Sequence, residues 1–140
     1  MAQFHDRGIR FQYPDNWRLE REESEEGWTV SLQSPGTAFM MICVREDMPA
    51  AEDMAESVLD AFRQEYKAVE VDELTGSIAG QPAVGHEIHF LSFDLTNTCW
   101  TRCFNCEAGT VLVLCQANDM ELDDEAPVMH AICASLEVED

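Results

Sequence analysis

The residues best equipped for chemistry are the cysteines of Cys99-Trp100-Thr101-Arg102-Cys103-Phe104-Asn105-Cys106, followed by Cys115. Thiolates bind zinc and exchange disulfides, so metal binding and redox chemistry are the first readings to test. Cys103-x-x-Cys106 has the spacing of half a zinc site. The stretch reads as a strand, however, and side chains three apart on a strand point to opposite faces. Cys99 and Cys103 share a face but lie about 13 Å apart at strand rise, too far for one metal. A three-residue turn at Glu107-Ala108-Gly109 would set Cys106 opposite Thr110 and Cys115 opposite Thr101. Cys99, Cys103 and Cys115 then become diagonal neighbours at about 7–8 Å, which a disulfide bridges only if the backbone moves. The sequence therefore reads Cys99, Cys103, Cys106 and Cys115 foremost as small buried apolar residues. A cysteine-based metal or redox site is the alternative.

The other candidates carry less. His86 and His89 are three apart on a strand, hence on opposite faces, and nothing places His5 or His130 beside a thiol. No catalytic signature surrounds Cys106 or Cys115. Asp119 to Glu125 alternates acids like a calcium loop. Position six is Asp124 where glycine is needed, and position twelve is His130 where glutamate is needed. Those acids fit better as carboxylates that serve the free N–H groups of a helix start. No glycine-rich phosphate loop occurs. Catalytic residues, a metal site and a cofactor are accordingly all absent from the expectation, which is a non-enzymatic protein.

The elements that position these residues follow from periodicity. Ile9, Phe11 and Tyr13 alternate with Arg10 and Gln12, as in a half-buried strand, and Pro14-Asp15-Asn16 turns the chain before Trp17. Strands are predicted over Arg18–Glu23, Trp28–Gln33 and the apolar run Ala38–Val44, which reads as central in a sheet. Ala51, Met54, Ala55, Val58, Leu59, Phe62 and Tyr66 recur at helical spacing. Strands return over Val69–Ile78, Ala83–Leu95, Thr98–Cys106 and Thr110–Gln116, with Thr96 and Asn97 as an interruption. Asn118–Glu125 reads as a loop and Ala126–Leu136 as a second helix, with Pro127 in its first turn. Met120 and Met48 read as exposed loop residues. Short turns between successive strands predict antiparallel pairing. The fold class is α+β, a mostly antiparallel sheet of about six or seven strands flanked by two helices, with residues 1–140 as a single acidic domain. Two helices fall short of covering both faces of such a sheet, which leaves room for a homodimer.

The charge restricts the partners. Eight Arg and Lys face 28 Asp and Glu, for a net charge of −20, and Lys67 is the only lysine. Such a surface repels nucleic acid and anionic lipid and suits a protein partner or a basic, amphipathic peptide. Neither a secretion signal nor a run of about 18 apolar residues is present, which points to the cytoplasm.

Gly8-Ile9-Arg10-Phe11-Gln12-Tyr13-Pro14-Asp15-Asn16-Trp17 is similar to the opening strand and turn of the PsbP-like family. Ile78-Ala79-Gly80-Gln81-Pro82-Ala83 resembles its mid-chain hairpin, and Ala134-Ser135-Leu136 resembles the end of its closing helix. That superfamily includes the extrinsic protein PsbP of photosystem II, a Ran-binding nuclear import factor and adaptor chaperones of type VI secretion. The resemblance spans nearly the whole chain. It implies an antiparallel sheet with flanking helices, and binding in place of catalysis, but it transfers no functional residues and selects no partner.

Overall fold

The computed structural model describes residues 1–139. Seven strands form the main sheet: β3 (Arg18–Ser24), β4 (Gly27–Gln33), β5 (Phe39–Arg45), β6 (Glu70–Ile78), β7 (Gln81–Ser92), β8 (Leu95–Cys106) and β9 (Gly109–Asn118). Their order is β3-β4-β5-β9-β8-β7-β6, and every neighbouring pair is antiparallel. A second sheet of order β1-β2-β10 joins β1 (Ala2–Asp6), β2 (Ile9–Tyr13) and β10 (Glu137–Val138). The helices are α1 (Ala51–Glu65) and α2 (Leu122–Ser135). The α+β class and antiparallel sheet match the periodicity.

Position in the sheet explains composition. Strand β9 is the central strand, and it is apolar on both sides because both faces are covered. Strands β3 and β6 are the edges, and both are charged: Arg18, Glu20, Arg21, Glu22 and Glu23 on one, Glu70, Asp72 and Glu73 on the other. Charged edges discourage unwanted strand pairing.

The cover is staggered. Helix α1 packs on β7, β8 and β9 through Met54, Ala55 and Leu59. Truncating Leu59 to Ala there would cost about 2–5 kcal/mol. On the opposite face, α2 and the small sheet pack over β4, β5 and β9, burying Ile9, Phe11, Trp28, Met129 and Ile132 together. Phe4 stacks on Phe11 with ring centroids 5.1 Å apart, and Arg21 lies over Trp28 at 4.8 Å. Each face of the main sheet is thus half covered, and the uncovered halves lie at opposite ends of the strand order.

Several boundaries differ from the sequence expectation, three of them in how strands pair. Residues 2–6 pair with β2, because Phe4 supplies an apolar contact that its polar neighbours conceal. The acidic tail also pairs with β2, through Glu137 and Val138; Asp140 lies outside the described residues. The long hairpin turns at Phe93-Asp94, so Thr96 and Asn97 belong to β8 and do not interrupt it. Both turn residues are left-handed, with φ of 52° and 61°, a conformation the sequence does not advertise without glycine.

Candidate functional site

The hairpin between β8 and β9 corrects the cysteine register. Its loop is two residues long: Cys106 pairs with Gly109, and Cys115 stands opposite Trp100, where the sequence placed Thr101. A shift of one residue moves a side chain to the other face. Cys99 and Cys103 therefore pack under α1, while Cys115 lies beneath α2. Burial pushes the Cys99 and Cys103 thiols up to about 12, which leaves them protonated and unreactive. The four cysteines singled out in the sequence do not converge.

The thiol that does meet Cys115 is Cys133 of α2, with the sulfurs 3.8 Å apart. The two thiols share a hydrogen bond in which either can donate. That hydrogen bond, helped by the charge of Arg102, draws the Cys133 thiol below its usual value. The same hydrogen bond and deep burial push Cys115 well above its own. No sequence spacing announces this pair, because a helix and a central strand bring it together.

Around the pair opens a cavity of about 620 Å³ between the Ser77–Gly80 turn, β8, β9, the end of α2 and β10. Ile78, Val113, Leu136 and Val138 make apolar walls, and Arg102 and His130 also line it. The Trp100 indole is fixed on two sides: Nε1 donates to Glu87 at 2.7 Å, and the His130 ring meets it edge-on at 5.4 Å.

Beyond the cavity the same face of β6, β7 and β8 is bare. It presents Glu70 and Asp72 from β6 and Leu91 from β7, with Glu87, His89 and Trp100 half-buried and Thr98 buried along the same face. Leu91 is 61% exposed, and Phe93 at the hairpin tip is 96% exposed. Asp72, Glu87 and His89 hold their ligand atoms within 4.8 Å of one another, the set among the described residues best placed to hold a cation. His89 Nε2 is 3.0 Å from Glu87, and its Nδ1 is 3.1 Å from the Thr98 hydroxyl. Hydrogen bonds from His89 and then Trp100 hold the Glu87 carboxyl below the usual range. His86 is on the other face, as expected, buried under α1 with Nε2 3.5 Å from Glu56.

The acidic run is partly helix, since α2 begins at Leu122. Its capping differs from expectation. Glu121 makes no side-chain bond to its own helix. It accepts from the Thr37 N–H at 3.0 Å, the Thr37 hydroxyl at 2.8 Å and the Ala38 N–H at 2.9 Å. Asn118 Oδ1 takes the Met120 and Glu121 N–H groups instead. The run ties α2 to the β4–β5 turn.

No family model and no curated protein matches the chain. Solved structures do. The cyanobacterial PsbP (CyanoP) of Synechocystis aligns with 99% of this chain and 92% of its own, at TM-score 0.68 and 15% identity. PA94 of Pseudomonas aeruginosa, a protein of unknown function, aligns with 100% of this chain and 98% of its own, at TM-score 0.61 and 12% identity. LpqN of Mycobacterium tuberculosis, described as involved in cell envelope biogenesis, aligns with 99% and 90%, at TM-score 0.59 and 13% identity. No helix among the described residues is long and apolar enough to cross a membrane. At these identities the likeness establishes the fold alone: the chain resembles PsbP-like proteins in its architecture.

Proposed function

We propose that this chain is a non-enzymatic binding module that docks a basic, amphipathic segment of a partner protein on the bare face of β6, β7 and β8. The observation that carries the reading is the composition of that face. Leu91 and Phe93 are exposed apolar side chains at the hairpin end, and Glu70, Asp72 and Glu87 lie further along the same face. Apolar anchors with a carboxylate rim suit a segment that alternates basic and apolar residues. A second copy of this chain is a poorer occupant, because it brings another −20 to the same surface.

The test is site-directed capture in the native host. A photo-crosslinking residue replaces Leu91 in one tagged chain and Met48, exposed elsewhere, in another. The reading predicts one partner joined at position 91 and not at 48, lost at high salt and lost in the E70Q/D72N/E87Q background. Equal crosslinking at both positions, or a partner indifferent to salt and to the three substitutions, contradicts it.

A further inference from the structure

We propose that the cavity at the end of α2 binds a small organic carboxylate, its head group on Arg102 and its apolar body against Ile78, Val113, Leu136 and Val138. The site adjoins the docking face at Trp100, and the proposal does not depend on that reading.

Arg102 is the motivating residue. Arg7, Arg10, Arg18, Arg21 and Arg45 each have a carboxylate partner. Arg102 is half-buried and has neither a hydrogen bond nor an ion pair among the described residues, in a chain with 28 carboxylates. Glu137 also lines the cavity, but its carboxylate is bonded to Arg10. A guanidinium partly withdrawn from water and left unpaired is costly, and a carboxylate that engages its fork offsets that cost. Arg102 itself lines the cavity, together with Ser77, Gly80 and His130.

The remaining lining defines the rest of the ligand. Four aliphatic side chains make walls for an apolar body, and about 620 Å³ is within the range of small-molecule pockets. The end of α2 that borders the cavity is its C-terminal end, through Cys133 and Ala134. That end carries partial negative charge, which disfavours a phosphate dianion more than a monoanion, so the attraction rests on Arg102.

The probe is 4-phenylbutyrate, with 4-phenylbutan-1-ol as its neutral analogue, titrated into the full chain and followed by amide and arginine Nε NMR shifts. Saturable shifts are expected at Gly80, Arg102, Val113 and Ala134. R102Q should weaken 4-phenylbutyrate about ten- to a hundredfold, the loss of one charged hydrogen-bonding group. R102K, which keeps the charge without the fork, should fall between. The alcohol should bind wild type and R102Q alike, which also shows that the variant is folded. E70Q/D72N, which leaves the Glu87–Trp100 hydrogen bond intact, should retain the carboxylate, so this proposal and the docking reading fail separately. No saturable shift by about 10 mM, equal affinity in R102Q, or loss in E70Q/D72N would overturn the proposal.

Discussion

Cys133 on α2 and Cys115 on β9 share a thiol hydrogen bond across 3.8 Å. The contact separates two similar residues: the Cys115 thiol is pushed up by the hydrogen bond and by burial, and the Cys133 thiol is drawn down by the hydrogen bond and by Arg102. Iodoacetamide at mild alkaline pH should therefore label Cys133 well before Cys99 or Cys103, whose burial holds them near 12. Cys115→Ala removes the hydrogen-bond partner and should slow Cys133 labelling severalfold. Peptide mass mapping over time reads both effects. Cys99 or Cys103 labelled as fast as Cys133 would contradict the assignment.

Glu121 links the start of α2 to the turn before β5, and the Thr37 N–H is the main cause of its lowered carboxyl value. A carboxyl lowered in the folded state stabilises above its unfolded value of about 4.5 and loses that contribution as pH falls through the lower folded value. Glu121→Gln should cost about 1–2 kcal/mol at pH 7, for a partly solvated carboxylate with three donors. As pH falls through the lowered folded value, the gap between the two proteins should close. Urea unfolding at pH 7 and at successively more acidic pH measures this.

Gly36 makes room for that carboxylate: a methyl there would stand 2.2 Å from Glu121 Oε1. Gly36→Ala should destabilise the wild type by displacing the Glu121 side chain, and should do much less in the Glu121→Gln background. The coupling energy in a double-mutant cycle should be about 0.5–1.5 kcal/mol. Additive effects would mean that the two residues act separately.

The tip of the β7–β8 hairpin holds Phe93 and Asp94 at positive φ. Both are compatible with a two-residue turn that favours Asn-Gly. Replacing them with Asn-Gly should raise stability by about 1 kcal/mol, because Phe93 is almost fully exposed and gives no core contact. The same change should weaken partner docking. Thermal melts and the binding assay below separate the two consequences.

Much of this architecture is legible in the sequence. The spacing of Met54, Ala55 and Leu59 predicts α1, and the apolar run Phe39 to Val44 predicts an inner strand. What periodicity cannot supply is register. One residue in the Cys106–Gly109 turn decides whether Cys115 joins Cys103 or lies under α2. Contacts between distant elements are equally hidden, as with Cys133 against Cys115 and Glu121 against Thr37. The bare face was foreseeable as a shortage of helix, but its membership depends on strand order, and sequence proximity does not give the β5–β9 pairing. Arg102 gave no signal, since an unpaired cation is defined by the partners it lacks.

The docking face is tested most directly with a labelled basic amphipathic peptide of alternating Lys and Leu, measured by fluorescence anisotropy at low and high salt. The account predicts binding to wild type at low salt, weakened about tenfold in E70Q/D72N/E87Q and again in L91S/F93S, and largely abolished as salt screens the carboxylates. Affinity that survives all three changes would contradict a docking face built from these acids and these two apolar side chains.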